Sequence, residues 1–150
     1  MREILFRGKR VDNGKWVEGS LYYDPDLEQS QIYGFNYTYN SETGEERECF
    51  HHLVDYNTVG QYTGLTANGK EIFEGDIVKY KNTDGISSNG VILTITGKVV
   101  YNKKTASFAV DGSDKIGAKH FDYFPIKKIE VIGNIHDNPE LLKGESNNEL

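Results

Sequence analysis

Residues 59–78 of this chain read VGQYTGLTANGKEIFEGDIV, and this stretch determines what kind of fold the sequence can adopt. Its Asn68-Gly69 dipeptide favours the positive φ angles of a tight hairpin turn. A second turn signal, Glu74-Gly75-Asp76, leads into residues 77–81, which read IVKYK and predict a strand. Short β-type runs joined by two tight turns therefore predict an antiparallel β structure.

The rest of the chain continues this pattern. Two β-type runs, residues 3–10 and 15–23, flank Asn13-Gly14 and predict an N-terminal hairpin. The remaining residues predict, in order, a loop at 24–30, an acidic turn at 41–48, a loop at 82–89, a strand at 91–101, its hairpin partner at 107–110, a loop at 111–118 and a final strand at 126–132. Residues 50–59 leave the choice between a strand and an irregular segment open.

An aromatic residue occupies every second position in one part of the chain. Because side chains alternate between the two faces of a strand, these four aromatic rings share one face. They are Tyr33, Phe35, Tyr37 and Tyr39, which we call the aromatic row. We expect this face to pack against the core, as in a half-buried sheet. The alternatives are a stacking platform for single-stranded nucleic acid or sugar, and a protein interface.

Length, composition and charge narrow the class of protein. The chain has 150 residues, enough for one ordinary domain, and no apolar run near the ~20 residues of a membrane helix. Its single cysteine predicts a reducing, cytoplasmic location without disulfides. The net charge is −6, and residues 21–60 carry eight acidic side chains against one basic one. This charge disfavours nucleic acid as a partner and suits a basic protein.

Three motifs that resemble chemical sites are weak. Gly64 to Lys70 matches the GxxxxGK of a phosphate loop, but Glu71 replaces the required Ser or Thr, so we expect a hairpin turn. Cys49, His51 and His52 lack the second ligand pair of a zinc site, and the two histidines of a strand would point to opposite faces. A Cys–His nucleophile would pair Cys49 with His51, His120 or His136, without any recognisable oxyanion donor. We expect no cofactor, no metal and no catalysis.

Three blocks of the sequence resemble the YopX family of phage and prophage proteins. They are the central stretch at 59–78, the start MREILFR at 1–7, and VIGNIHDNPELL at 131–142. The family consists of small proteins encoded by phages and integrated prophages of bacteria, without an established role or assigned catalytic residues. The resemblance implies a bacterial host cytoplasm and a structural signature made of Gly64, Asn68, Gly69, Gly75 and Asp76.

The resemblance and the turn pattern together give a fold expectation. The Gly-Asp entry into a strand is common in SH3-like barrels, so we expect such a small barrel over about 61–133. An N-terminal antiparallel sheet over residues 1–60 adjoins it. Asn138 as N-cap and Pro139 at the first helical position predict a short C-terminal helix. The expected fold is mainly β, with one compact domain at 1–142 and a flexible tail at 143–150.

The expected function is binding rather than catalysis. We expect a phage or prophage binding or adaptor protein that acts on a protein partner through a face of the barrel or through the aromatic row. One alternative is a nucleic-acid-binding accessory protein that uses the lysines at positions Lys79, Lys81, Lys98, Lys103 and Lys104. Another alternative is a homo-oligomeric structural protein, because copies of one chain often cover open strand edges.

Overall fold

The computed structural model describes residues 1–81, 94–112, 118–121 and 126–143. Over these ranges there is no α-helix, and eleven strands form two antiparallel sheets. The mainly β class predicted from the sequence is therefore confirmed. The chain divides into two compact units, Met1–Tyr62 and Thr63–Leu150. That residues 1–142 fold as one domain stays a prediction.

The first unit contains four strands and the start of a fifth. They are β1 (Phe6–Lys9), β2 (Trp16–Asp24), β3 (Gln29–Asn40), β4 (Gly44–Val54) and β5 (Gly60–Ala67), which lie in the order β4-β3-β2-β1-β5. The N-terminal hairpin is confirmed, with Phe6 opposite Gly19 and a φ of +68° at Gly14. The acidic turn shrinks to residues 41–43, and the undecided segment at 50–59 is strand as far as Val54. A 3₁₀ turn at Tyr56–Thr58 precedes β5.

The core of the first unit lies where β1 approaches β3 and β4. Ile32 and Val54 are buried there, and a Cβ added to Gly8 would lie 3.1 Å from the Cβ of Val54. Glycine at this position lets the two strands come close. The end of β1 is also tied to β4, because the Val11 N–H donates to the Leu53 carbonyl at 3.0 Å.

The second unit contains the remainder of β5 and six further strands. They are β6 (Lys70–Phe73), β7 (Asp76–Lys81), β8 (Thr94–Asn102), β9 (Ser107–Gly112), β10 (Ala118–His120) and β11 (Ile129–Asn134). Five of them form a sheet in the order β10-β9-β8-β7-β11, and β6 neighbours β5. The core is aliphatic and consists of Ala67, Ile72, Val78, Ile95, Val99, Val110 and Ile129.

Two details of the fold expectation are not confirmed. In the ranges that the structure describes, the five-stranded sheet is open, with β10 and β11 at its edges, so no closed SH3-like barrel is present. In place of a C-terminal helix there is a single 3₁₀ turn, Pro139–Leu142. The side-chain oxygen of Asn138 accepts from the Asn134 N–H at 3.4 Å and does not cap the turn.

The other predicted elements are confirmed, have shifted bounds, or lie outside the described residues. The hairpin of β8 with β9 is confirmed, with Val99 opposite Val110. The final strand begins at Ile129, because residues 126–128 form a 3₁₀ turn. The loop at 82–89, the start of the strand at 91–93, most of the loop at 111–118 and nearly all of the tail at 143–150 lie outside the described residues. Within the described ranges, no helix has the length and apolar character needed to span a membrane.

Candidate functional site

The far half of the β3–β4 hairpin is a two-stranded ribbon. Strand β2 pairs with β3 only from Gln29 to Tyr33, whereas β4 pairs with β3 as far as Asn40 opposite Gly44. For residues 34–40 the structure therefore places a strand on one side only. We call residues 34–50 the ribbon. An isolated two-stranded ribbon is only marginally stable in water, so its side chains have to support it.

The aromatic row lies on an exposed face of this hairpin. Exposure of the four side chains rises from 43% at Tyr33 to 82% at Tyr39. The expectation that the aromatic row packs against the core is therefore wrong. A two-residue period shows that four side chains share a face, but it does not show which face is buried. Burial lies on the other face at Ile32 and Val54, whereas residues 35–40 are exposed on both faces.

Neighbouring strands add polar and aromatic groups to the row. The ring of Tyr33 stacks on His51, with centroids 5.4 Å apart, and contacts Tyr22 edge-on at 6.3 Å. The guanidinium carbon of Arg47 lies 4.4 Å from the centre of the Phe35 ring, a cation–π distance. Sequence reasoning named His51 only as a possible ligand or base and missed Tyr22 and Arg47. Finding them needs the strand register, which the sequence leaves open.

The opposite face of the ribbon is built around a glycine. A Cβ added to Gly34 would lie 2.8 Å from the Cε1 of Phe50, so the phenyl ring covers the place where a side chain would stand. The same ring stacks on His52 at 5.4 Å. Further along this face, Glu48 lies opposite Asn36 and Glu46 lies opposite Thr38. This face therefore becomes acidic towards the tip.

The cysteine and histidines of β4 divide between the two faces. Cys49 is exposed and lies opposite Phe35. His51 stacks on Tyr33, whereas His52 stacks on Phe50, so the predicted separation of the two histidines is confirmed. Across the described ranges, no three His, Cys, Asp or Glu side chains come together in a group that could hold a metal ion. The side chain of His120 lies outside the described residues.

The turn end of the N-terminal hairpin is basic. Arg7 and Lys9 both lie over the Trp16 ring, at 4.8 Å and 5.5 Å from its centre. Arg10 donates to both carboxylate oxygens of Asp12, at 2.9 Å and 2.5 Å. These hydrogen bonds lower the pKa of Asp12 below its ordinary value. The charge of Asp12 therefore partly offsets the basic side chains beside it.

The lysines predicted for nucleic-acid binding lie in the second unit, and two of them face carboxylates. Lys79 lies opposite Glu130, and Lys98 lies opposite Asp111. The other three are exposed or at strand ends: Lys81 closes β7, and Lys103 and Lys104 lie in the turn after β8. Alternating charges of this kind are typical of a solvated sheet face rather than of a basic patch.

The signature residues occupy two turns and one position inside a strand. Asn68 and Gly69 have φ angles of +51° and +78°, and β6 follows them directly, which confirms the hairpin turn in place of a phosphate loop. Gly64, predicted as a turn residue, instead lies inside β5 with a φ of +86°. Beside it, the Thr63 hydroxyl donates to the Ile72 carbonyl at 2.8 Å.

The second signature turn links several strands. Gly75 has a φ of +87°, its N–H donates to the Val99 carbonyl, and its carbonyl accepts from the Ile135 N–H, both at 2.9 Å. Asp76 is 1% exposed, and its carboxylate accepts from the Phe73 N–H at 2.8 Å. Each hydrogen bond holds the turn in place, so the structure gives these residues a structural role.

Over the described residues, the fold and the surface define an all-β protein with an exposed aromatic row. The family model described as YopX protein matches residues 5–143, nearly the whole chain. The chain belongs to the YopX family, as the three sequence blocks predict. No curated protein matches it.

Proposed function

We propose that this chain is a non-enzymatic binding protein of phage or prophage origin that holds a protein partner on the aromatic row. The observation that carries the proposal is the exposure of the four aromatic side chains of the row, three of which lie on a ribbon that pairs with one strand only. Large apolar surfaces exposed together mark interaction sites in soluble proteins. Tyrosine, phenylalanine and arginine are also the residue types that interfaces favour, and Arg47 lies over Phe35 in the row.

The charge of the first unit supports a basic partner. Residues 21–60 carry eight acidic side chains and one basic one, and three of the acidic ones lie on β4 within the ribbon. An acidic surface accelerates the approach of a basic protein and repels nucleic acid. The bacterial cytoplasm is the proposed location, because phage proteins of this family would act inside the host cell.

A nucleic-acid accessory role is the second candidate, and it depends on the lysines of the second unit. Cross-strand carboxylates weaken it, since Lys79 and Lys98 face Glu130 and Asp111. It predicts binding to DNA or RNA that falls steeply as salt concentration rises. Self-association is the third candidate, and it predicts an oligomer by light scattering.

The experiment is a tagged pull-down from infected or lysogenic host cells, with and without nuclease. It compares the wild type with a Tyr37→Ser/Tyr39→Ser variant of the row. The control is Tyr56→Ser, since Tyr56 is an exposed tyrosine of the same unit outside the ribbon. We expect a nuclease-resistant protein that the wild type and the control retain and the row variant loses.

Each other outcome points elsewhere. A partner that the row variant retains as well as the wild type does contradicts the proposal. A set of partners that disappears with nuclease supports the nucleic-acid candidate. Recovery of the tagged chain alone, with an oligomer in light scattering, supports self-association, whereas a monomer at high concentration excludes it.

A further inference from the structure

A groove runs beside the ribbon within the first unit. One wall is the stretch of β3 from Tyr33 to Tyr37, and the other is formed by residues 3–5 and residues 18–20. The Phe50 ring completes the lining, and the groove has a volume of about 600 Å³. One residue of extended chain fills on the order of 150 Å³ at strand spacings, so the groove accommodates roughly four such residues.

The groove exists because β2 and β3 separate at one position. Ser20 opposite Tyr33 is the last pair between them, and the preceding residue, Gly19, pairs only with Phe6 of β1, on the other edge of β2. A Cβ added to Gly19 would lie 2.8 Å from the carbonyl carbon of Tyr33, so the two backbones touch at the closed end of the groove. Beyond this point the edge of β3 borders the groove.

The backbone at this edge is available for pairing. In the part of the chain that the structure describes, residues 34–40 pair with β4 and with no other strand. At every second residue of an edge strand, the backbone N–H and C=O both point away from the paired strand and have no strand partner. Extended peptides bind other proteins by adding a strand to such an edge, where hydrogen bonds give affinity and alternate side chains give specificity.

The two faces of the ribbon define the chemistry of the added strand. One face carries the aromatic row, so the side chains of the added strand that lie on this face should be apolar. The other face carries Glu46 and Glu48, and Glu3 and Glu18 line the groove, whereas its lining contains no lysine or arginine. Basic side chains of the added strand on that face would be attracted to the carboxylates of Glu46 and Glu48.

We infer that an extended segment of a protein partner, with apolar and basic side chains in alternation, adds as a strand to the β3 edge in this groove. The inference rests on the proposed function and specifies the form in which the partner binds. A second copy of this chain fits less well, because the acidic ribbon of one copy would repel that of another. The ribbon holds four glutamates from position 42 to position 48 and one arginine.

The test uses a labelled peptide of about eight residues with alternating lysine and valine, which matches the length of the β3 edge. Binding is measured by fluorescence anisotropy with the whole chain. We expect saturable binding, slower amide hydrogen exchange at residues 34–40, and no binding of the matching glutamate–valine peptide. Two methylated forms of the lysine–valine peptide are also tested, one with N-methyl groups at the lysines and one at the valines. Only one set of amides faces the β3 edge, so one of the two forms should bind at least about tenfold more weakly through lost hydrogen bonds.

A pair of variants at one position tests the location. Ser20 is exposed and lines the groove, so Ser20→Trp fills the groove, whereas Ser20→Ala leaves it open. We expect Ser20→Trp to weaken peptide binding at least about tenfold and Ser20→Ala to keep it. Circular dichroism checks that both variants are folded.

The outcomes separate this inference from the proposed function. The inference that a strand adds in the groove is overturned by any of three results: no peptide binding, unchanged hydrogen exchange at residues 34–40, or equal binding by both Ser20 variants. If the cellular partner is lost with Tyr37→Ser/Tyr39→Ser but kept with Ser20→Trp, the aromatic row binds the partner without an added strand. Self-association that Ser20→Trp abolishes would assign the groove to a second copy and overturn the inference.

Discussion

Gly34 and Phe50 allow a prediction in which the residue at position 50 decides whether Gly34→Ala stabilises or destabilises the protein. In a strand, alanine in place of glycine stabilises by about 0.5–1 kcal/mol, since it reduces the freedom of the unfolded chain. At Gly34 the new Cβ would meet the Phe50 ring, with Cε1 at 2.8 Å and Cζ closer still. The half-buried ring has room to shift at a cost near the lower end of overpacking, about 1–2 kcal/mol.

The net effect follows from these two terms. Gly34→Ala should destabilise the wild type by about 0.5–1 kcal/mol, whereas in a Phe50→Ala background it should stabilise by about 0.5–1 kcal/mol. The coupling free energy between the two positions is then about 1–2 kcal/mol. Such a change of sign is specific to a ring that covers the glycine.

Urea unfolding measured by Trp16 fluorescence provides the assay. The chain has one tryptophan, and it lies in the first unit, so the signal reports on the unit that holds the ribbon. With unfolding slopes near 1–2 kcal/mol/M, the expected shifts in midpoint are about 0.3–1 M. If Gly34→Ala stabilises the wild type and the Phe50→Ala variant equally, the ring does not cover Gly34 and the reasoning fails.

Three further predictions concern the second signature turn and the N-terminal hairpin. Asp76→Ala should lower the free energy of unfolding by about 2–3 kcal/mol, because the buried Phe73 N–H loses its acceptor. Asp76→Asn should lower it less, and equal losses for the two variants in urea unfolding would contradict this role of the carboxylate. Gly75→Ala should cost about 1–2 kcal/mol from its φ of +87° alone, since the nearest side chain would lie 3.7 Å from the new Cβ; a neutral result by thermal unfolding contradicts it. Arg10→Leu should raise the pKa of Asp12 towards its ordinary value in an NMR titration, whereas Lys15→Leu should not. The lowered pKa favours the folded state above the ordinary pKa, and this contribution disappears as the pH falls through the lowered value.

Turn chemistry is the part of the fold that the sequence predicts well. Asn13-Gly14 and Asn68-Gly69 both form the expected hairpins, and φ is positive at Gly14, Asn68 and Gly69. Glycine and asparagine adopt this conformation at low cost. Gly64 shows the limit of this argument. It belongs to the signature that the sequence assigns to turns, yet it lies inside β5, because a glycine within a strand can also adopt a positive φ.

The sequence predicts which aromatic residues share a face at the candidate site, but not whether that face is buried or exposed. The spacing of Tyr33 and its three partners places them on one face, as the structure shows. Which face is buried depends on Gly8, Ile32 and Val54, and these come together only through pairing between distant segments. The contacts of Arg47 and His51 depend on the same register, so local patterns carry no information about them.

The position of β7 between β8 and β11 has a consequence for synthesis on the ribosome. Residues 129–134 pair with residues 76–80, so one edge of β7 acquires its partner only after about fifty more residues have been translated. Contacts of such long range fold slowly, because the intervening chain has to be ordered first. Until then the nascent chain exposes Ile77 and Val78, which are buried in the finished protein, beside an unpaired strand edge. Slow translation of the segment between β9 and β11 should therefore raise the demand for a holding chaperone.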